Sequence, residues 1–177
     1  ETPSGKKSIF RIYRDVRFSK NKAPYKTHWA GSLKRAGASR RGGMYFHLEP
    51  GGNSFIGGGF WQPSKEDLLL IRKQIDADPD PLRKVINSKA FKDRFDGLQG
   101  EQLKRAPKGF DVDNPNIDLL RFKGFIVSQA FSDDEVLSPG FVAKVAAGFK
   151  AMHPFFDAMT EYLTTDLNGV STIGEED

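Results

Sequence analysis

The sequence predicts an α+β fold in which an antiparallel or mixed β-sheet packs against helices and a long kinked helix closes the chain. Alternating polar and apolar residues dominate the first third of the chain, helical periodicity dominates the middle, and one late strand precedes a final helix. The regular alternation of strands and helices that is typical of doubly wound nucleotide-binding folds is missing. With 177 residues, the chain is expected to form a single domain over residues 1–177.

The first third of the chain is predicted to be β-structure. Residues 8–14 (SIFRIYR) and 44–50 (MYFHLEP) alternate in the manner of half-buried strands. The turn residues PGGN connect the second segment to SFIGGGFW, which predicts a hairpin. A turn centred on the two glycines of PGGN would place Tyr45 opposite Gly58, a residue without a side chain.

The middle of the chain is predicted to be mostly helical. Ser64, followed three residues later by Asp67, resembles a capping box, and the helix that it starts would end at DADPDP. Asp80 and Pro81 have the pattern of an N-cap and a first helical residue, and SKAFKDRF continues that helical region. The polar stretch LQGEQLKRAPKGFDVDNP is expected to be a long exposed loop or a hairpin, and NIDLL a short helix at most.

The last third is predicted to contain one strand and one long helix. KGFIVSQAFS supplies the strand, and Ser138 with Pro139 opens the helix. Because a proline inside a helix removes a backbone donor, a kink is expected at Pro154. Residues 170–177, which end in GEED, are expected to form an acidic flexible tail.

Composition excludes several kinds of site. The chain contains no cysteine, which rules out disulfides, thiolate catalysis and cysteine-ligated metal sites. It also lacks an uninterrupted apolar run near the roughly 18 residues that a membrane span needs. We therefore expect a cytoplasmic protein with no membrane partner. The chain starts at Glu1 without a signal-peptide pattern, so its N-terminus is expected to be a processed or trimmed boundary.

Charge is distributed unevenly along the chain. Residues 1–43 carry 12 Lys/Arg against 2 Asp/Glu, a net charge of +10, whereas residues 44–177 have a net charge of −6. Such asymmetry predicts either an anionic partner near the N-terminal part or a charge match within the fold.

The glycine triplet and the histidines form weaker motifs. Residues 57–59 are glycines but lack the flanking residues of a phosphate-binding loop, and they are expected to accommodate an aromatic residue across the sheet. His47 and Glu49 share a strand face and are candidates for an acid–base pair. Two such groups do not define a metal site, so neither a metal nor a cofactor is expected. The alternative is a hydrogen-bonded sheet histidine.

The most unusual segment is residues 11–29, which contains six Lys/Arg residues and a single acid, Asp15. In a strand, Arg17 would share a face with Asp15, which would hold its guanidinium for bidentate recognition of an anion. Together with the cations of LKRAPKGF, this segment is expected to form a basic cleft. The predicted ligand-binding residues are Arg14, Asp15, Arg17, Lys20, Lys22, Lys26, Lys104 and Lys108.

Several motifs in a fixed order carry a family resemblance. RIYRDVRFSKNKAPYKTH, YFHLEPGG, GGGFWQP, LKRAPKGFD and DLLRFKGF span residues 11–126, and HPFFDAM follows in the last predicted helix. In these motifs the chain resembles a family of bacterial and fungal proteins known as domain of unknown function 2461. The resemblance implies that the basic segment belongs to the family pattern, and it implies no activity, cofactor or catalytic residue. Family members usually begin with a helical segment that this chain is expected to lack.

Three functions remain open at this point. The first is a small-molecule site, enzymatic or sensory, in which the basic cleft binds an anionic ligand and Tyr25, His47 and Glu49 transfer protons. The second is nucleic-acid binding, because aromatic residues alternate with cations in the basic segment. The third is a protein-interaction module whose basic segment pairs with an acidic surface.

Overall fold

A computed structural model describes residues 5–35 and 41–173 and has the predicted α+β architecture. Its four strands form one antiparallel sheet in the order in which they occur along the chain. The strands are β1 (Trp29–Lys34), β2 (Gly43–Leu48), β3 (Ser54–Phe60) and β4 (Phe125–Phe131).

In the described ranges, helices precede the first strand, connect two of the strands and follow the last strand. A single turn precedes β1, four helices connect β3 to β4, and three follow β4. None of them is long and apolar enough to cross a membrane. The helices are α1 (Gly5–Ser8), α2 (Lys65–Ala77), α3 (Asp80–Asn87), α4 (Lys89–Lys92), α5 (Ile117–Leu120), α6 (Asp133–Leu137), α7 (Phe141–Ala151) and α8 (His153–Thr164).

The helices cover one face of the sheet and form the core with it. Ile56 on β3 and Val127 on β4 point into this core and are fully buried beside the aromatic residues of α8. Helix α7 approaches β3 so closely that a Cβ atom at Gly148 would lie 2.3 Å from Cδ1 of Ile56. The opposite face of β2 and β3 presents Tyr45, His47, Phe55 and Gly57, and the candidate site lies there.

The final helix is bent as predicted. Helices α7 and α8 meet at Met152, and together they bend by 32° two residues before Pro154. The bend lets buried residues of both halves, such as Met152 and Phe156, face the sheet. Residues 170–173 of the predicted tail turn back onto the end of α8, where the Thr172 amide donates to the Thr164 carbonyl at 2.8 Å. Residues 174–177 lie outside the described residues.

Serine side chains cap two of the middle helices, α2 and α4. The Ser64 hydroxyl accepts the Asp67 amide at 3.0 Å, which confirms the predicted start of α2. Helix α3 begins one residue earlier than predicted, because Pro79 rather than Asp80 occupies the N-cap position. The residues after α3 form a separate helix because Ser88 is extended and its hydroxyl caps α4.

Two strand predictions were wrong. Residues 8–14 do not form a strand: Ser8 ends α1, and the segment makes only single bridges, from Ile9 to Gly31 and from Tyr13 to Tyr25. The predicted hairpin exists, but its register is shifted by one residue, so that Tyr45 lies opposite Gly57 instead of Gly58. Strand β1 was not predicted at all.

The longer turn explains the shifted register. Five residues connect β2 to β3, and the Asp133 carboxylate accepts the amides of Gly51 and Gly52 at 2.8 and 2.9 Å. The Ser54 hydroxyl closes the turn by accepting the Glu49 amide at 3.0 Å. Because strand side chains alternate, a shift of one residue decides which glycine of the triplet faces Tyr45.

Candidate functional site

A cavity of about 790 Å³ lies on the sheet face that points away from the helices. Its volume falls within the range of roughly 300–1,000 Å³ that is typical of small-molecule sites. Most of its surface is apolar, and aromatic side chains from β2, from β3 and from the residue after β3 form its walls. The residues that matter for its shape are Tyr45, Phe55, Gly57, Gly58, Gly59, Trp61, Gln62, Gln99, Glu101, Lys123, Ile126 and Ser128.

The far wall of the cavity is built by the loop after α4. Gln99 pairs with Ile126 at the free edge of β4, with backbone hydrogen bonds of 2.7 and 3.1 Å. The Ser128 hydroxyl also donates to the Gln99 side-chain carbonyl at 2.8 Å. Glu101 and Lys123 form an ion pair at this wall. Since Lys123 already has a carboxylate partner, the cavity is not strongly cationic.

A side chain would have a different effect at each of the three glycines of the triplet. A Cβ atom on Gly58 would lie 2.7 Å from Sδ of Met152, inside the core. Gly59 has a φ of +143°, and a Cβ atom there would lie 2.1 Å from the Phe125 carbonyl oxygen. A Cβ atom on Gly57 would make only ordinary contacts, the nearest at 3.4 Å, and would point into the cavity. Gly57 therefore leaves space that neither packing nor backbone geometry requires.

The cavity rim contains a strained residue. Gln62 has a φ of +48°, which is the only positive φ among the non-glycine residues in the part of the chain that the structure describes. Left-handed backbone is costly for a residue with a Cβ atom, and such strain concentrates at functional sites. Trp61, directly before it, is 72% exposed and lines the cavity.

A chain of hydrogen bonds begins at the cavity wall and leads away from it. The Tyr45 hydroxyl lies 3.0 Å from Nδ1 of His47, and Nε2 of His47 lies 3.0 Å from Oε2 of Glu49. The Thr27 hydroxyl donates to the other carboxylate oxygen of Glu49 at 2.8 Å. Tyr45 and His47 on β2 and Glu49 directly after it occupy alternate positions and share one face, as the sequence predicted.

Hydrogen bonding and burial of Tyr45, His47 and Glu49 indicate which of their atoms carry protons. The hydrogen bond from His47, followed by that from Thr27, holds the pKa of Glu49 below its ordinary value of 4.5. Burial raises the pKa of the Tyr45 phenol above its ordinary value of 10.0. An ionised Glu49 can only accept, so Nε2 of His47 carries the proton and, in the neutral ring, Nδ1 accepts from Tyr45.

A second histidine, His28, lies beside His47 and directly precedes the unpredicted strand β1. The β1–β2 pairing joins Ala30 to His47 and ends with Trp29 opposite Leu48, one residue after His28. The rings of His28 and His47 are stacked with their centroids 4.4 Å apart. One nitrogen of each ring and one Glu49 oxygen all lie within 4.8 Å of one another. The sequence did not predict this cluster, because His28 and His47 are 19 positions apart and no local pattern links them.

The predicted basic residues do not line the cavity. Arg14 donates to the Ala23 carbonyl at 3.3 Å and to the Ser19 hydroxyl at 3.4 Å, so its guanidinium closes a loop of its own segment. The ammonium of Lys22 donates to the Val16 carbonyl at 2.9 Å inside the same loop. Lys20 is exposed and Lys26 is half-buried in the same segment, and Lys104 and Lys108 are exposed in the loop between α4 and α5.

One predicted pair in the basic segment does form. Arg17 donates to both carboxylate oxygens of Asp15, with Nη2 at 2.7 Å from Oδ2. This hydrogen bonding lowers the pKa of Asp15 and raises that of Arg17. Both side chains are exposed to solvent. Tyr25, the remaining catalytic candidate, packs its ring against Tyr13 at 5.4 Å, while His47 and Glu49 bond to each other.

The fold and the site define an α+β domain that carries an aromatic-walled cavity on the sheet face remote from its helices. The chain belongs to the family described as conserved hypothetical protein DUF2461, whose profile matches residues 1–157. This match confirms the resemblance seen in the sequence motifs. No curated protein and no solved structure matches the chain.

Proposed function

We propose that this domain binds a small molecule with a flat, largely apolar body in the cavity beside Gly57. The proposal rests on one observation above all: the cavity side of Gly57 is empty although a side chain would fit the backbone and the packing there. Glycine within a strand weakens the strand, so a glycine that nothing structural requires points to space kept open for a ligand.

The cavity walls suggest which molecules fit. Tyr45, Phe55 and Trp61 offer ring faces to a planar partner, and aromatic groups favour offset or edge-to-face contacts with other rings. The Tyr45 hydroxyl and the Gln99 and Ser128 side chains supply hydrogen-bonding groups at the margin. Few polar groups within a mostly apolar lining is the usual pattern of a small-ligand site, where the polar groups set orientation.

A fluorescence titration with 8-anilinonaphthalene-1-sulfonate tests this function. The dye is planar and apolar in part, so we expect saturable binding that Gly57→Leu weakens at least tenfold by filling the cavity. Gly140→Leu is the matched control, because Gly140 has open space around it and lies far along the chain at the start of α7. Dye binding that Gly57→Leu leaves unchanged would overturn the proposal, since the dye would then occupy another surface.

A second function, nucleic-acid binding by the basic segment, is favoured by one observation. Phe18 is 96% exposed, and the Arg17 guanidinium lies 5.9 Å from its ring centroid. An exposed ring among cations is the arrangement that stacks on single-stranded bases while the cations neutralise phosphates. The half-exposed rings of Tyr13 and Tyr25 lie in the same segment.

Anisotropy of a labelled single-stranded oligonucleotide tests this second function. We expect affinity to fall steeply between about 50 and 200 mM salt, as phosphate contacts require. Phe18→Ala with Arg17→Ala should weaken binding, whereas Lys84→Ala with Lys92→Ala, which removes exposed cations from α3 and α4, should not. Equal loss in both double variants would indicate non-specific attraction and would remove this function.

A further inference from the structure

We infer that His28, His47 and Glu49 bind a divalent first-row transition metal ion. The three side chains offer two imidazole nitrogens and one carboxylate oxygen, and these atoms lie within 4.8 Å of one another. All three side chains are half-buried, which leaves the cluster reachable from solvent. This inference does not depend on the proposed cavity ligand.

The cluster already has much of the geometry that a metal needs. Nε2 of His47 and Oε2 of Glu49 are 3.0 Å apart. A tetrahedral ion with bonds of about 2.0–2.1 Å keeps its ligand atoms about 3.3 Å apart, so this pair is already at coordinating separation. Since no ligand atom is more than 4.8 Å from another, a shift of the His28 nitrogen by at most about 1.5 Å completes the set. His28 directly precedes β1, so its backbone is anchored beside the cluster.

Partners outside the cluster hold two of its members in place. Metal-binding histidines usually bond their second ring nitrogen to a neighbouring polar group, and ligating carboxylates are usually hydrogen-bonded as well. The Tyr45 hydroxyl is at Nδ1 of His47, and the Thr27 hydroxyl is at the Glu49 oxygen that does not contact His47. Nε2 of His47 and Oε2 of Glu49 are the atoms that would bind the ion. The other polar atom of each side chain is already hydrogen-bonded, which holds the side chain in place.

The donor set selects the class of ion. Mg²⁺ and Ca²⁺ prefer oxygen ligands, whereas imidazole suits Zn²⁺, Fe²⁺ and their neighbours. Two histidines and one carboxylate leave at least one coordination position for water or another ligand, which is the ligand number of catalytic metal sites. Binding through Nε2 would move the His47 proton to Nδ1. The Tyr45 hydroxyl would then accept from His47 and become free to donate toward the cavity.

Titration of the untagged chain with Zn²⁺ against a chromophoric chelator tests the site. We expect one equivalent of Zn²⁺ per chain, no competition from millimolar Mg²⁺, and at least tenfold weaker binding for His28→Ala, His47→Ala and Glu49→Gln. Thr27→Val should weaken binding by roughly tenfold, because it removes only a supporting hydrogen bond. His153→Ala is the control, since His153 is exposed on α8 and is the one remaining histidine of the chain.

A thermal measurement separates ligand loss from misfolding. Zn²⁺ should raise the melting temperature of the parent chain and of His153→Ala, because it binds the folded state, and should raise that of His28→Ala clearly less at the same Zn²⁺ concentration. His28 is the decisive position because it makes no hydrogen bond to the other two and its loss should leave the metal-free fold intact. Zn²⁺ binding that is equally tight in His28→Ala and His153→Ala would overturn the inference, as would no Zn²⁺ binding at all.

Discussion

Gly57 and Gly58 are neighbours on β3 but face opposite sides of the sheet. Gly57 faces Tyr45 and the cavity, whereas Gly58 faces Met152 and Phe156 in the core. The same residue type thus serves two purposes in adjacent positions: Gly57 keeps the ligand space open, and Gly58 lets helix α8 approach the sheet.

Alanine at these two positions should have opposite effects on stability. Gly58→Ala places a methyl group 2.7–2.8 Å from Met152 and Phe156, and such overpacking should lower the free energy of unfolding by about 1–3 kcal/mol. Gly57→Ala should leave it unchanged or raise it by up to roughly 1 kcal/mol, because glycine weakens a strand. Urea denaturation of both variants measures the difference. Equal destabilisation would show that Gly57 is also structural and would weaken the proposed ligand site.

The strained backbone at Gln62 should be relieved by glycine. Because a left-handed conformation costs a non-glycine residue about 1–2 kcal/mol, and glycine loses more entropy on folding, Gln62→Gly should stabilise the domain by roughly 0.5–1 kcal/mol. Gln62→Val, which is β-branched, should instead destabilise it. Thermal melting of both variants measures these effects. A destabilised Gln62→Gly would mean that the Gln62 side chain contributes more than its backbone costs.

Arg72 should be important for the helix layer behind the cavity. Its guanidinium donates to the Leu120 carbonyl at 2.8 Å and to the Phe122 carbonyl at 3.0 Å, which joins α2 to the approach to β4. Burial lowers the pKa of Arg72. Arg72→Met leaves both carbonyls without this donor and should cost about 2–3 kcal/mol.

Lys73→Met is the control for Arg72→Met, since Lys73 is the next residue of α2 and is exposed. Its effect on the urea midpoint should be within the scatter of surface substitutions, about 0.5 kcal/mol. Comparable losses in the two variants would assign the effect to charge removal on α2 instead of to the two carbonyl bonds.

Asp133 should make the stability of the hairpin turn pH-dependent. The amides of Gly52 and Gly51 hold the pKa of Asp133 below its ordinary value of 3.8. A carboxyl group with a depressed folded pKa stabilises the fold above its unfolded pKa, and this contribution disappears as the pH falls through the folded pKa. Asp133→Asn should therefore be less stable than the parent chain at pH 7, and the gap should narrow below about pH 3.8.

Asp134→Asn provides the comparison for Asp133→Asn. Asp134 lies in the same first turn of α6, so the variant has the same change in formal charge near the helix N-terminus. Urea midpoints of all three chains between pH 7 and pH 3 measure the effect. If the two variants lose stability to the same extent at pH 7, the helix terminus accounts for the effect and the glycine amides do not.

Local signals in the sequence predicted much of this fold. The spacing of Ser64 and Asp67 is a local capping signal that predicts the start of α2. Pro154 cannot donate a backbone hydrogen bond in any helix, which predicts the bend in the last helix. The alternation that puts Tyr45, His47 and Glu49 on one face is likewise a property of any strand. These features depend on interactions over a few residues.

The hairpin register and strand β1 could not be read in this way. The register depends on the Asp133 carboxylate, which reaches the turn glycines from 82 positions away. Strand β1 contains glycine, serine and alanine and shows little alternation, so only pairing with β2 reveals it. The segment at residues 8–14 alternates strongly, yet no strand lies beside it for more than one residue in the described ranges.

By itself, the sequence determined the fold class, the family, the start of α2, and the shared face of Tyr45, His47 and Glu49, whereas α7 begins at Phe141 and not at the predicted Ser138 and Pro139. Only the tertiary structure decided that His28 joins His47 and Glu49, that Gly57 rather than Gly58 faces the cavity, and that the basic residues lie away from it. The physical reason is the range of the interactions. Caps, turns and periodicity depend on residues within one helical turn or one strand. The binding site instead depends on strand pairing and loop contacts between residues that are far apart in the sequence, which no local pattern predicts.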